Sequence, residues 1–119
     1  MSVNVNRALV FPDSFLLSSS VLRGEVCNGA GPRKFGWLVP DNIWGLSVVD
    51  AANIHDWMYW KGSIEEDRLE ADVTFLMNMM ILIDDGSKGR IMRFLRRWRA
   101  MTYFSAVREY GGRAFYDKG

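Results

Sequence analysis

The sequence predicts a single, mainly α-helical domain. The chain has 119 residues, of which 49% are hydrophobic, and its composition shows no break, so it can bury one core. Apolar residues recur at helical spacing, and serines and glycines stand where helices would begin and end. We therefore expect an antiparallel helix hairpin over about 47–60 and 63–84. A third long helix should cover about 87–110, and a long glycine-rich loop should precede all three.

The first 26 residues carry weak signals, and a strand and a short helix both remain open for them. No basic segment leads into a long apolar run, and no stretch reaches the roughly 18 to 20 apolar residues that span a bilayer. We expect a soluble, cytoplasmic protein, with export by another route left open.

The segment over 27–45 is rich in glycine and contains two prolines, which predicts irregular backbone. Its aromatic residues, among them Trp37 and Trp44, favour a loop that packs on the core. Cys27 is the single cysteine of the chain, so an intramolecular disulfide is excluded and packing alone must hold the fold.

The helix hairpin has matching start signals. Ser47 and Ser63 can each cap a helix, and each is followed three residues later by an acid, Asp50 or Glu66. Gly62 separates the two helices. The second helix should turn an apolar stripe toward the core, made of Leu69, Val73, Leu76, Met79, Met80 and Ile83.

The third helix should be amphipathic. We expect its apolar residues to face inward, namely Ile91, Phe94, Leu95, Trp98, Met101, Thr102 and Val107, and its arginines to face outward. Such arginines form either a solvated face or a surface for anionic lipid head groups or nucleic-acid phosphates. The net charge of +1 does not by itself indicate nucleic acid. The candidate residues of an anionic-partner surface are Arg90, Arg93, Arg96 and Arg97.

One cluster of residues stands out for its chemistry. His55 is the only histidine in the chain, and Tyr59 follows it by one helical turn. In an antiparallel hairpin that turns near residue 62, Asp72 lies at the same height as His55 and within the predicted apolar stripe. A buried carboxylate needs polar partners, which His55 and Tyr59 can supply. Asp67 is about 140° away around the helix and should be solvated.

These residues carry a resemblance to a known family. Residues 55–59, HDWMY, resemble the HDxCY segment of secretory-type phospholipase A2 enzymes. Residues 71–75, ADVTF, resemble the ADxxF pattern of the disulfide-free viral members of that superfamily. Residues 27–31, CNGAG, are similar to its glycine-rich calcium loop. The resemblance covers residues 27 to about 80 and implies a phospholipase A2-like fold.

The resemblance also implies an activity, namely calcium-dependent hydrolysis of a phospholipid or another ester, with peripheral contact to a membrane. In this interpretation His55 is the general base, Asp72 orients it, and Tyr59 donates its hydroxyl to Asp72. The calcium ligands would be a carboxylate and backbone carbonyls, contributed by Asp56, Cys27, Gly29 and Gly31.

A second hypothesis involves no catalysis. A lone histidine on an amphipathic helix is commonly a satisfied structural residue, and Asp56 can face water as a simple surface acid. The chain would then be an inactive binding or structural module, of phage origin for example, that uses the arginine-rich helix for a partner.

Overall fold

Three long helices form the body of the protein in the computed structural model, which describes residues 9–17 and 42–116. The fold is mainly helical, as expected. In chain order the elements are α1 (Asp13–Leu17), β1 (Asn42–Ile43), β2 (Leu46–Ser47), α2 (Val49–Lys61), α3 (Glu65–Gly86), α4 (Arg90–Tyr110) and α5 (Gly112–Tyr116). Helix α3 packs against both α2 and α4 and is the central element.

The predicted helix hairpin is confirmed, but its start signals are different. Helices α2 and α3 begin after Val48 and Ile64, each one residue later than the predicted serine cap. Ser47 Oγ still accepts a hydrogen bond from Val49 N at 3.4 Å. At the start of α3, Asp67 Oδ2 accepts hydrogen bonds from the backbone N–H of Ser63 at 2.9 Å and of Ile64 at 3.2 Å. Asp67 is therefore engaged with its own helix end, where a carboxylate also complements the helix dipole.

The end of the glycine-rich segment is regular, which corrects the prediction of irregular backbone over 27–45. Strands β1 and β2 pair antiparallel with Ile43 opposite Leu46. Trp44 and Gly45 form the two-residue turn with φ values of 48° and 87°. A two-residue hairpin turn needs positive φ at both positions when it follows the twist of its strands. The rest of that segment lies outside the described residues.

Helix α3 faces the core with only part of the predicted stripe. Met79 and Ile83 are fully buried and Leu76 and Met80 pack against the core, whereas Leu69 and Val73 are exposed. Apolar residues occur on all sides of this helix, so periodicity alone does not select one face. Two buried polar residues on α3, Asp72 and Asn78, instead form hydrogen bonds with other elements and fix the rotation of the helix.

The N-terminal segment is docked by polar contacts to α2 and α3. The side-chain amide of Asn78 accepts a hydrogen bond from Val10 N at 2.6 Å and donates one to Val10 O at 2.7 Å. Trp57 Nε1 donates to Ser14 Oγ at 3.0 Å, and the ring of Phe15 packs edge-on against Trp57. Of the two alternatives for this region, a strand or a short helix, the structure has a short helix over Asp13–Leu17 that packs on the core.

Helix α4 is turned almost opposite to the prediction. Ala100 and Val107 are buried against the core, and of the predicted inward residues Val107 is the fully buried one. The large side chains of Ile91, Phe94 and Trp98 are exposed. On this inner side the long side chains of Arg96 and Arg108 reach carbonyl and carboxylate acceptors.

Candidate functional site

His55 on α2 and Asp72 on α3 meet inside the protein, so the predicted proximity is confirmed. His55 Nε2 lies 2.7 Å from Asp72 Oδ1. The exposed fractions of the two residues are 1% and 0%. Because the ionised carboxylate can only accept, Nε2 carries the proton and donates a hydrogen bond to Asp72.

Tyr59 completes one side of this contact. Its hydroxyl donates a hydrogen bond to the same oxygen, Asp72 Oδ1, at 2.6 Å. One helical turn separates it from His55, and the centres of the two rings are 4.2 Å apart. Burial, together with the bond to the carboxylate, raises the pKa of the Tyr59 phenol, so it stays protonated and remains a donor.

Two arginines that were not predicted hold the other side of Asp72. Arg108 on α4 donates from Nη1 to Asp72 Oδ2 at 2.7 Å. Arg68 on α3 brings its Nη1 to 3.8 Å from the same oxygen, and this group also donates to the carbonyls of Val107 and Arg108. The sequence did contain one indication of these arginines. A buried carboxylate has about four acceptor sites, and one histidine and one tyrosine cannot fill them all, so further donors are needed.

Glu65, at the start of α3, closes the network at the surface. It accepts from Arg68 Nε at 2.9 Å, from Arg108 Nη2 at 2.9 Å and from the hydroxyl of Tyr116 at 2.8 Å. These hydrogen bonds, with that from Arg68 the strongest, hold the pKa of Glu65 at about 2. The Asp72 cluster, as we call His55, Tyr59, Glu65, Arg68, Asp72, Arg108 and Tyr116, thus joins α2, α3, α4 and α5.

The central pair titrates outside its ordinary range. Burial lowers the pKa of His55 from 6.5, and the hydrogen bond and charge of Asp72 only partly oppose this. Burial raises the pKa of Asp72, but the bonds from His55, Tyr59 and Arg108 outweigh it, so the pKa is lowered. At neutral pH the pair therefore consists of a neutral imidazole and an ionised carboxylate.

The predicted calcium ligands are only partly described. Asp56 is half-buried on α2, directly after His55 in the chain. Cys27, Gly29 and Gly31 lie outside the described residues. Within residues 9–17 and 42–116, no group of three or more histidine, cysteine or acidic side chains could hold a metal ion.

The predicted anionic-partner surface is placed differently from the expectation. Arg96 points inward, where it donates to the carbonyls of Ile43 at 3.2 Å and Trp44 at 2.7 Å and so fixes the β-hairpin. Arg93 is half-buried. Arg90 and Arg97 remain exposed, and Arg97 pairs with the half-exposed Asp84 at 2.9 Å. Arg90 and Arg97 are therefore exposed, Arg93 is partly exposed, and Arg96 is turned inward.

Comparison with known proteins assigns no family to this site. No protein-family model matches the chain, and no curated protein or solved structure matches it either. In the described part of the chain, every helix is too short or too polar to cross a membrane. The functional proposal therefore rests on the geometry and chemistry of the site itself.

Proposed function

We propose that the chain is a phospholipase A2-like carboxylic ester hydrolase in which His55 is the general base and Asp72 orients it. The contact of 2.7 Å between His55 Nε2 and Asp72 Oδ1 carries this proposal. With the proton on Nε2, the lone pair of the ring is on Nδ1. The lowered pKa of His55 keeps the imidazole neutral at neutral pH, so that Nδ1 can accept a proton.

In the proposed reaction, Nδ1 of His55 removes a proton from a water molecule while the water oxygen attacks the carbonyl carbon of the ester. The ionised Asp72 stabilises the imidazolium that forms. The bond between the carbonyl carbon and the leaving oxygen then breaks, and His55 returns the proton to that oxygen. For a phospholipid cleaved at the sn-2 ester, the products are a fatty acid and a lysophospholipid.

Calcium belongs to the proposal through the family resemblance. Asp56 is a hard oxygen ligand of the kind that calcium prefers, and the carbonyls of Cys27, Gly29 and Gly31 are the other proposed ligands. A calcium ion, when bound there, would polarise the ester carbonyl.

The burial of His55 favours a second candidate. At an exposed fraction of 1%, the imidazole meets water only after neighbouring groups move. If they do not move, the Asp72 cluster acts as a polar clamp between helices, and the chain is a non-enzymatic binding or structural module. The two candidates differ in whether any ester is hydrolysed.

The experiment is hydrolysis of a dispersed short-chain phosphatidylcholine with calcium present. We expect the wild-type protein to release fatty acid and the His55→Gln variant to be slower by about 10²- to 10⁴-fold, the usual contribution of a general base. The glutamine amide can still donate to Asp72, so circular dichroism should show a retained fold. Asp84→Asn, a change in an exposed acid outside the Asp72 cluster, is the matched control and should keep full activity.

Calcium is tested separately by calorimetric titration of the wild-type and Asp56→Asn proteins. Saturable binding that Asp56→Asn abolishes would support the metal ligand without reference to activity. Full hydrolysis by His55→Gln, or in excess chelator, would contradict the mechanism. A well-folded wild-type protein that hydrolyses no ester would establish the second candidate.

A further inference from the structure

The outward face of α4 carries a continuous apolar stripe. Ile91, Phe94, Trp98 and Met101 have exposed fractions of 77%, 68%, 64% and 45%. Their spacing of three or four residues places them side by side along one side of the helix. We call these four residues the α4 stripe. Single exposed apolar residues are ordinary, but a row of four large ones on one helix indicates a binding surface.

Positive charge surrounds the α4 stripe. Arg90 and Arg97 lie beside it on one edge, and both are exposed. Arg97 also forms an ion pair with the half-exposed Asp84 at 2.9 Å, which is weak enough at the surface to be exchanged for a phosphate. Toward the other edge, the guanidinium of Arg99 stacks over the half-exposed ring of Trp44 at 5.2 Å from its centroid. Residues 86–108 contain no aspartate or glutamate, although the whole chain is almost neutral. The partner should therefore be negatively charged and should also accept apolar side chains.

Three kinds of partner can be compared on these grounds. A second copy packed symmetrically on the same face would bring Arg90 and Arg97 close to their own counterparts. Duplex DNA would neutralise the arginines but leave Phe94 and Trp98 without an apolar environment. An anionic lipid surface provides phosphates for arginine and an acyl boundary for aromatic and aliphatic side chains. It is the partner that matches both properties.

We propose that α4 docks on an anionic lipid surface, with Phe94 and Trp98 at the boundary between head groups and acyl chains and Arg90 and Arg97 at the phosphates. The helix lies on the membrane and does not cross it. The exposed residues of this surface lie outside the Asp72 cluster, so lipid binding does not depend on whether His55 hydrolyses esters.

The test is flotation of the full chain with vesicles of ether-linked lipids, which have no carboxylic ester to hydrolyse. We expect binding to vesicles that contain phosphatidylglycerol, weakened by salt, and much weaker binding to phosphatidylcholine alone. Phe94→Gln with Trp98→Gln should lower the partition constant about tenfold or more. Arg90→Gln with Arg97→Gln should lower it by about fivefold per arginine.

Matched controls separate this surface from general stickiness and net charge. Leu69→Gln with Tyr110→Gln removes two exposed apolar side chains outside the α4 stripe, and Lys61→Gln with Arg113→Gln removes the same charge elsewhere. Both should bind like the wild-type protein, and circular dichroism should show all variants folded. The proposal is overturned by no binding to phosphatidylglycerol, by equal losses in the controls, or by a stable dimer that Phe94→Gln with Trp98→Gln dissociates.

Discussion

Asp72 is a fully buried carboxylate, and its three short hydrogen bonds come from two other helices. Oδ1 accepts from His55 and Tyr59 on α2, and Oδ2 accepts from Arg108 on α4. A buried carboxylate is tolerable only when its lone pairs are filled and its charge is balanced. Both conditions are met here.

The charges around His55 already balance while it is neutral. Asp72 and Glu65 carry two negative charges, and Arg68 and Arg108 carry two positive ones. Protonation of His55 would add an uncompensated positive charge to a buried cluster. This charge balance disfavours the imidazolium, in the same direction as the lowered pKa of His55. Any imidazolium formed during hydrolysis would therefore be short-lived.

Removal of Arg108 should show how much this charge balance contributes to the free energy of unfolding. Arg108→Met keeps the aliphatic stem but leaves Oδ2 of Asp72 with the more distant Arg68. We expect a loss of about 2 to 3 kcal/mol in the free energy of unfolding, measured by urea denaturation, because one partner of a largely buried ion pair is lost.

The matched control for that loss is Arg97→Met, which breaks an ion pair of similar length with Asp84. Both partners are about half-exposed there, so the loss should stay below about 1 kcal/mol. Equal losses in the two variants would show that the Arg108–Asp72 contact is no stronger than a surface pair.

At the scale of elements, close packing at a helix junction positions Tyr59. Gly111 joins α4 to α5, and a methyl group added at this residue would lie 2.5 Å from Val107 O and 2.8 Å from the hydroxyl of Tyr59. Its φ of −77° is open to any residue, so glycine is needed here for space and not for backbone conformation. The junction is therefore packed closely against the hydroxyl of Tyr59, which is a hydrogen-bond donor in the Asp72 cluster.

Gly111→Ala should therefore destabilise the protein by about 1 to 3 kcal/mol, the usual range for overpacking, as measured by thermal unfolding. Gly112→Ala is the matched control, because its added methyl group meets its nearest atom at 3.9 Å and should leave stability nearly unchanged. In a Tyr59→Phe background the cost of Gly111→Ala should fall, since one of the two clashing atoms is gone. An unchanged cost there would exclude the contact with Tyr59.

Helix α4 shows where element-scale prediction fails. The apolar residues of α4 were expected to face the core, and its arginines were expected to face water. In the structure, large apolar side chains are exposed and two arginines reach inward. Periodicity identifies an amphipathic helix but assigns the apolar side to the core only by default. Arg96 and Arg108 find carbonyl and carboxylate acceptors inside the protein, so long charged side chains point inward and the α4 stripe points out.

At the scale of the whole molecule, the Asp72 cluster links the stability of the fold to pH. His55 has a lowered pKa in the folded state, so the unfolded chain binds more protons as the pH falls through 6.5. Asp72 also has a lowered pKa, and its contribution is lost at still lower pH. Both effects destabilise the protein in acid.

We expect the melting temperature to fall between about pH 7.5 and about pH 5.5, where an ordinary histidine titrates. The His55→Gln variant lacks the titrating group and should show a flatter dependence in this interval. Calorimetric scans of both proteins measure the difference. A parallel decline in the two proteins would mean that another group is responsible.

The sequence by itself determined the local features, namely the three helices and the hairpin between α2 and α3. It also determined that His55 and Asp72 lie at the same height in that hairpin. These follow from helical periodicity, a short connection and the fixed rise per residue. Tertiary structure alone decided the rotation of α3, the outward α4 stripe, and the arrival of Arg108 from 36 residues away at Asp72. The physical reason is that each depends on which buried polar groups find partners across the fold, and spacing along one helix does not contain that information.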